Sequence, residues 1–168
     1  MPLRVEIVPL CTWSALDSRP VHVAVLNGVN LGMLGKRDPE IYGTLTMSEL
    51  DSAVYVWARD LGLTARCVQT DDEGEYVEAI HDAHGAAAGV VVNPGAWTHY
   101  SYAVHDALAI LTVPIVEVHL SAVSQREEWR RHSVIAPLAA HRIEGLGADG
   151  YHDALRYLAG VIDGAGAR

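Results

Sequence analysis

Short apolar segments alternate with amphipathic ones along most of this chain, and this alternation constrains the fold more than any other feature. We predict strands at His22–Leu26, Leu63–Gln69, Gly89–Asn93, Pro114–His119 and His141–Glu144. The first of these, His22–Leu26, is a near-continuous apolar run, which is typical of a parallel strand buried on both faces. A chain that alternates strands and helices predicts a parallel sheet covered by helices on both faces, with right-handed crossovers.

The segments between the strands carry helix signals. Thr46 and Glu49 have the capping-box spacing, and apolar residues follow at helical intervals until Gly62, which favours the end of a helix. We predict further helical segments at about Tyr76–Ala87, around Val104–Leu111, from Arg126 onward and around Tyr151–Val161. At this length the pattern favours a flavodoxin-like α/β fold, a three-layer sandwich around a five-stranded parallel sheet in the order 2-1-3-4-5.

The ends of three strands indicate where a ligand would bind. In sheets of this kind, ligands bind beyond the carboxyl ends of the strands, where the strand order reverses between strands 1 and 3. The predicted strands 1, 3 and 4 end at or beside Asn27, Asn93 and His119. We therefore expect polar side chains to gather at this edge of the sheet.

Length and charge limit the classes of protein to which the chain can belong. The 168 residues fit one domain, which we place at 22–163, after an extension at 1–21 and before a tail at 164–168 that should fray. The net charge of −9 argues against a surface built for nucleic acid or for a membrane of anionic lipid. No segment approaches the roughly 20 apolar residues of a membrane span, and charges interrupt the N-terminus where a signal peptide needs an apolar run. Two scattered cysteines do not make a disulfide framework, so we expect a cytoplasmic protein.

Glu117 and His119 form the pair that indicates catalysis most directly. Side chains two residues apart on a strand lie on the same side of the sheet. A carboxylate beside an imidazole orients the ring for acid–base chemistry. A histidine alone is more often a satisfied core residue, but the position of His119 after Glu117 at a strand end favours a functional role.

The loop after the first strand has the composition of a lid. Its glycines permit unusual backbone angles, and Pro39 sets a turn. Arg37 and Tyr42 lie on this loop, and a guanidinium next to a phenol stabilises the tyrosinate form. Tyr42 would then serve as a base over the site, whereas an ordinary flexible surface loop is the alternative for the same residues.

The loop and helix after the third strand contribute further candidates. Asn93 and His99 can bind hydroxyl groups, although a turn cap and a surface histidine are the ordinary roles of such residues. Asp106 lies on the following helix, either as a solvated residue or reaching into the site of a neighbouring subunit.

The segment after the fourth strand can bind an anion. The backbone N–H groups of Leu120 and Ser121 precede a predicted helix, where a substrate carboxylate is stabilised. On that helix Arg126 and Arg130 are four residues apart and would share a face, beside the site or within a solvated charged surface.

Other chemistries are disfavoured. His81 and His84 have helical spacing but lack a third ligand, so we expect no metal site. The glycines of the first loop match neither a dinucleotide fingerprint nor a phosphate-binding loop, so we expect no nucleotide cofactor. Lys36, the single lysine, lies on the predicted lid, which is a poor place for Schiff-base chemistry.

Six segments together resemble the type II 3-dehydroquinate dehydratases, in order and over roughly residues 22–160. The segments are Leu26–Leu31, Glu40–Gly43, Asn93–His99, Glu117–Ser121, Arg126–Ser133 and Gly145–Tyr151. The resemblance implies a cofactor-free lyase of the shikimate pathway, which converts 3-dehydroquinate to 3-dehydroshikimate by anti elimination through an enolate.

The resemblance also implies roles for the candidate residues. Tyr42 would be the base with Arg37 beside it, and Asn30 would help to stabilise the enolate. His119 would protonate the leaving hydroxyl, held in orientation by Glu117. Substrate would be bound by Asn93, His99, Leu120, Ser121 and Arg130, and by Asp106 of a neighbouring subunit, since the family forms trimers that assemble into a dodecamer.

Three departures from the family pattern leave alternatives open. Val29 replaces a usual proline, Ala122 a usual asparagine, and Trp97 is bulkier than the residue of many members. We expect Ala122 and Trp97 to border the substrate, so a dehydratase of a modified substrate, such as an amino analogue, is one alternative. A non-catalytic flavodoxin-like scaffold is another. A flavin-binding protein is disfavoured because the stretch directly after the first strand, Asn27–Gly32, lacks the hydroxyl-bearing residues of a phosphate loop.

Overall fold

The computed structural model describes residues 23–166 and contains a five-stranded sheet. Its strands are β1 (Val23–Asn27), β2 (Ala65–Gln69), β3 (Gly89–Asn93), β4 (Ile115–His119) and β5 (His141–Glu144). Neighbouring strands are parallel, in the order β2-β1-β3-β4-β5. The predicted fold class and strand order are therefore confirmed. The extension predicted at 1–21 lies outside the described residues.

The helices follow the strands as the alternation predicts. They are α1 (Pro39–Tyr42), α2 (Met47–Asp60), α3 (Glu73–Ala83), α4 (Tyr102–Ala109), α5 (Glu128–Arg131) and α6 (Asp149–Gly166). Helix α2 begins with the predicted capping box, in which Thr46 and Glu49 exchange hydrogen bonds between side chain and backbone. It ends before Gly62, whose φ of 73° suits glycine.

Three helix boundaries differ from the prediction. Helix α3 ends at Ala83, four residues before the predicted end at about Ala87. Helix α3 begins three residues before Tyr76, because the Asp72 side chain accepts a hydrogen bond from the Glu75 backbone N–H and caps a polar first turn. Helix α6 continues to Gly166, so the first part of the predicted tail is helical. Glycine near an exposed helix end weakens the helix by only about 0.5–1 kcal/mol and does not stop it.

The expectation of a helix from Arg126 is wrong. A short 3₁₀ turn spans Val123–Gln125, Arg126 itself has an extended backbone, and α5 covers only Glu128–Arg131. Because the extended residue interrupts the helical path, Arg126 and Arg130 do not share a helix face. They reach the site separately.

Apolar layers pack on both faces of the sheet. Val23 and Val25 face a cluster that includes residues of α2 and α6, whereas Ala24 and Leu26 face a cluster with α3 and α4. Burial on both faces explains the near-continuous apolar sequence of β1. No helix within residues 23–166 is long and apolar enough to cross a membrane.

Strand register aligns the polar strand ends. Asn27 of β1 is the register partner of Asn93 of β3. On the other side of the sheet centre, Glu117 of β4 pairs with Arg142 of β5, and His119 pairs with Glu144. This register builds the floor of the candidate site.

Candidate active site

A cleft of about 530 Å³, open to solvent, lies at the carboxyl ends of β1, β3 and β4. Nine of the eleven predicted site residues line it, namely Asn30, Arg37, Tyr42, Asn93, His99, His119, Leu120, Ser121 and Arg130. The reversal of strand order between β1 and β3 opens this crevice, as expected for a doubly wound sheet.

His119 is held by a buried carboxylate at the floor of the cleft. Its Nε2 lies 2.7 Å from Oε1 of Glu117, and the two residues are 4% and 0% exposed. The strand alternation that places both side chains on one face produces this contact. With Nε2–H donating to Glu117, Nδ1 is the nitrogen that remains for a ligand.

Glu117 is kept ionised by its neighbours. Its Oε1 also accepts hydrogen bonds from Thr98 (2.9 Å) and Ser133 (2.8 Å), while Nε of Arg142 lies 3.6 Å from Oε2. Burial raises the pKa of Glu117, but the hydrogen bonds from His119 and Ser133 and the charges of His119 and Arg142 outweigh it and hold that pKa below its usual value. The carboxylate can therefore stabilise a positively charged imidazole.

Tyr42 lies between two arginines. Its phenol oxygen accepts a hydrogen bond of 3.0 Å from Nη2 of Arg37 and one of 2.8 Å from Nη1 of Arg126. The Arg37 guanidinium also lies over the ring, 3.9 Å from the centroid. Both guanidinium groups therefore place positive charge directly at the phenol oxygen.

Asn30 has an unusual backbone. Among residues 23–166 it is the non-glycine residue with a left-handed conformation, at φ 68°. The backbone N–H of Asn30 donates to Oδ1 of Asp71 at 2.7 Å, and Gln69 donates to the same oxygen at 3.3 Å. Asparagine tolerates a left-handed backbone better than most residues do. Such a strained conformation persists where contacts with the surrounding structure hold it in place.

A tyrosine from α6 anchors Asn93 and Asn27. The Asn93 amide donates to the Tyr151 hydroxyl at 2.9 Å, and that hydroxyl donates to Oδ1 of Asn27 at 2.6 Å. All three side chains are buried. The network ties the ends of β1 and β3 together, and it leaves part of the Asn93 amide available to the cleft.

His99 is oriented for a role as a neutral hydrogen-bonding group. Its Nδ1 donates to the His132 carbonyl at 2.7 Å, which leaves Nε2 as an acceptor. Burial lowers the pKa of His99, and the nearby His119 and Arg130 lower it further against that hydrogen bond. Trp129 packs edge-on against the ring at 5.3 Å.

Arg130 and Ser121 lie on the side of the cleft that follows β4. Nε of Arg130 lies 3.1 Å from Glu127, and its guanidinium stacks 4.0 Å from the Trp129 ring centre. Ser121 lies 3.5 Å from Nη1 of Arg126. Paired and stacked guanidinium groups of this kind hold a fixed orientation suited to carboxylates and hydroxyls.

Two predicted site residues lie outside the cleft. Glu117 lies behind His119, with its Oε1 2.7 Å from Nε2 of that histidine. Asp106 is exposed on α4 and does not line the cleft of its own chain. No group of three or more His, Cys, Asp or Glu side chains that could hold a metal ion occurs within the described part of the chain.

The expectation that Trp97 and Ala122 border the substrate is wrong. Trp97 is 5% exposed and packs 5.3 Å from Tyr76 in the core, while Ala122 packs against Gly145; neither lines the cleft. Trp97 belongs to the apolar cluster between the sheet and helices α3 and α4. Of the three departures, Val29 does line the cleft.

The sequence interpretation missed several residues of the site. Arg126 was placed on a helix face, yet it is the second cation at Tyr42. Tyr151 lies in an apolar helical stripe, so its sequence context did not indicate a polar role for the hydroxyl. Thr98 lies on a short 3₁₀ helix and Ser133 in a loop, and neither belongs to a recognisable motif. Arg142 is the one missed residue that the sequence could have indicated, because aligning the predicted strands 4 and 5 places it opposite Glu117.

The comparisons with known proteins agree with this geometry. A sequence model of the family described as "Dehydroquinase class II" matches residues 21–159. The 3-dehydroquinate dehydratase of Pelobacter propionicus is 54% identical over 134 residues, which is 79% of this chain and 90% of that protein. That of Syntrophotalea carbinolica is 56% identical over 131 residues, covering 77% and 88%.

Solved structures match as well. The type II dehydroquinase from Propionibacterium acnes superposes with a TM-score of 0.81 at 45% identity, over 83% of this chain and 97% of that one. The type II dehydroquinase from Butyrivibrio crossotus has a TM-score of 0.80 at 37% identity, covering 82% and 97%.

Proposed function

The chain belongs to the class II dehydroquinase family, and we propose that it dehydrates 3-dehydroquinate to 3-dehydroshikimate with Tyr42 as base and His119 as acid. The observation that carries the proposal is one cleft that holds both a tyrosine between two arginines and a histidine on a buried carboxylate. An elimination requires these two functions, one to remove a proton and one to protonate the leaving group.

Tyr42 performs the first step. Its phenolate oxygen takes the proton from the carbon next to the substrate ketone, and the electron pair of the broken C–H bond moves into an enolate. Arg37 and Arg126 stabilise the phenolate before transfer. Asn30, held in its left-handed conformation by Asp71, stabilises the enolate oxygen through a water molecule.

His119 performs the second step. The imidazolium donates its Nδ1 proton to the leaving hydroxyl, the C–O bond breaks, and water departs as the enolate collapses to a conjugated enone. Glu117 stabilises the imidazolium before this transfer. Return of the Tyr42 proton to His119 through solvent completes the cycle. Neither step needs a metal or cofactor.

The remaining cleft residues bind the substrate. The backbone N–H groups of Leu120 and Ser121 bind its carboxylate, and its hydroxyls contact the side chains of Asn93, His99 and Arg130. The loop that carries Arg37 and Tyr42 closes over the bound molecule as a lid. Support comes from the placement of all these groups around one cleft.

We further propose a homododecamer built from trimers, in which Asp106 completes the site of a neighbouring subunit. Asp106 lies on an exposed face of α4 beside Tyr102, which is 72% exposed, and Ile110, which is 50% exposed. Apolar side chains on such a face favour a protein contact. We propose a cytoplasmic enzyme of aromatic biosynthesis on the basis of the family.

Ultraviolet absorbance of the enone tests the reaction. Purified protein mixed with 3-dehydroquinate should give a rise that survives EDTA and prior borohydride treatment, since no metal or imine takes part. Tyr42→Phe should abolish the rise, and Tyr55→Phe, outside the cleft, should keep it. His119→Ala should lose about 10²–10⁴-fold in kcat, as is typical of general acid catalysis, and the exposed His81→Ala should lose nothing.

Three results would contradict the proposal. Turnover of Tyr42→Phe at the wild-type rate removes Tyr42 as the base, and a loss below tenfold in His119→Ala means that another group supplies the proton. No rise with wild-type protein argues against 3-dehydroquinate itself, and an amino analogue of the substrate is then the next compound to assay, with Val29→Pro as the first variant.

A further inference from the structure

A line of alternating charges crosses β4 and β5 beneath the cleft. In register, Glu117 pairs with Arg142, and His119 pairs with Glu144. Nη2 of Arg142 lies 3.3 Å from Oε2 of Glu144, whose Oε1 accepts a hydrogen bond from Ser124. The Glu117–His119 pair is therefore one end of a longer array, and the other end reaches the loop that follows β4.

Arg142 acts on Glu117 as a charge more than as a hydrogen-bond donor. The three donors to Glu117 all use Oε1, and Oε2 is buried with no hydrogen bond. Nε of Arg142 lies 3.6 Å from that oxygen, too far for a good hydrogen bond, and Nε and Nη2 are buried without hydrogen-bond partners. The positive charge of Arg142 acts strongly on this fully buried carboxylate, because little water lies between the two groups to screen their interaction.

We propose that Arg142 and Glu144 are positioning residues that set the pH range over which the Glu117–His119 pair holds its proton. The inference rests on the proposed function, in which this proton reaches the leaving hydroxyl. A positive charge beside the pair favours release of the proton, because the pair is then left negative. Glu144 opposes this effect by partly neutralising Arg142.

The other ionisable groups around Glu117 do not duplicate this effect. Glu117 acts electrostatically with His119 on its own strand, His99 after β3, Tyr76 of α3 and Arg142 of β5. Thr98 and Ser133 contribute neutral hydroxyls. Of these four ionisable groups, Arg142 is the one that stays charged at every working pH. Arg37, Arg126 and Arg130 line the cleft together with His119 and also stay charged, so they contribute a constant background.

Two variants should move the same titration in opposite directions. Arg142→Met removes the positive charge at similar length, so the alkaline limb of kcat/KM should move to higher pH by about half to one unit. Glu144→Gln leaves the guanidinium without its counter-charge, so that limb should move to lower pH. Arg142→Lys keeps the charge and should restore the wild-type limb.

A second readout does not depend on turnover. The ring ¹³Cε1 shift of His119, assigned with His119→Gln, follows the proton on the pair in the free protein, and its titration should move in the same directions. Arg156→Met removes a charge on the surface of α6, where Arg156 pairs with Asp153 with 62% of its side chain exposed, and should move neither readout.

The outcomes separate this inference from the proposed function. If the wild type does not turn over 3-dehydroquinate but the variants shift the His119 titration as expected, the inference stands and the proposed reaction is rejected. The inference is overturned if the His119 titrations of Arg142→Met and Glu144→Gln coincide with that of the wild type. This conclusion requires that both variants unfold cooperatively on heating, which shows that they are folded. If Arg142→Met does not fold, the direction of the Glu144→Gln shift decides, and a shift to higher pH or none at all overturns it.

Discussion

Arg126 offers the sharpest test of the base. Arg126→Met removes the hydrogen bond of 2.8 Å to the Tyr42 oxygen and keeps a side chain of similar length. Arg37 still donates to the same oxygen at 3.0 Å, so the phenolate keeps one of its two cations. The variant should therefore be slowed and not abolished.

The expected loss follows from the contact distance. At 2.8 Å, Coulomb's law gives about 1.5 kcal/mol in water and about 6 kcal/mol at an effective dielectric constant of 20. The Arg126 side chain is 19% exposed, so neither limit applies alone. Hydrogen bonds to charged groups contribute about 1.5–3 kcal/mol, which lies between these limits and corresponds to a loss of roughly 10- to 150-fold in kcat.

The assay is the rate of enone formation at saturating 3-dehydroquinate, with kcat and KM determined separately. Because the lost contact acts on the ionised base, the decrease should appear in kcat. Arg59→Met is the matched control, since Arg59 forms its ion pair with exposed Asp60 away from the cleft. A kcat of Arg126→Met within about threefold of the wild type, or a change confined to KM, would refute the assignment of Arg126 to the base.

Three further measurements probe the supporting contacts. The folded-state pKa of Glu117 lies below the unfolded value of about 4.3, so the ionised carboxylate contributes stability above that pH, and this contribution is lost as pH falls through the lower folded pKa. In urea unfolding, the wild type should therefore lose stability relative to Glu117→Gln as pH falls below about 4.3. Plots of unfolding free energy against pH that run parallel for the two proteins would contradict this. Tyr151→Phe leaves buried amides without a partner and should lower the free energy of unfolding by about 1–3 kcal/mol while raising KM through Asn93, and an unchanged KM would limit Tyr151 to a structural role. Asp71→Ala releases the Asn30 backbone and should lower kcat a few-fold to about tenfold, the size expected for one hydrogen bond, whereas full activity would show that Asn30 keeps its conformation unaided.

Much of the site could be predicted because its residues lie at fixed offsets from local patterns. Glu117 and His119 share a strand face by their two-residue spacing, and Asn93 closes a strand that the apolar pattern identifies. Arg126 could not be placed in this way. Its extended backbone and its contact with Tyr42, 84 residues earlier in the chain, depend on how two loops pack together.

The sequence by itself determined the sheet, its strand order, the edge at which the polar residues gather and the family, because periodicity, chain length and motifs are local properties. Only the tertiary structure decided which charges face one another: the second arginine at Tyr42, the Tyr151 anchor between β1 and β3, and the array that runs from His119 to Glu144. These contacts join residues far apart in the chain. Their energies depend on distance and burial, which no pattern along the sequence contains.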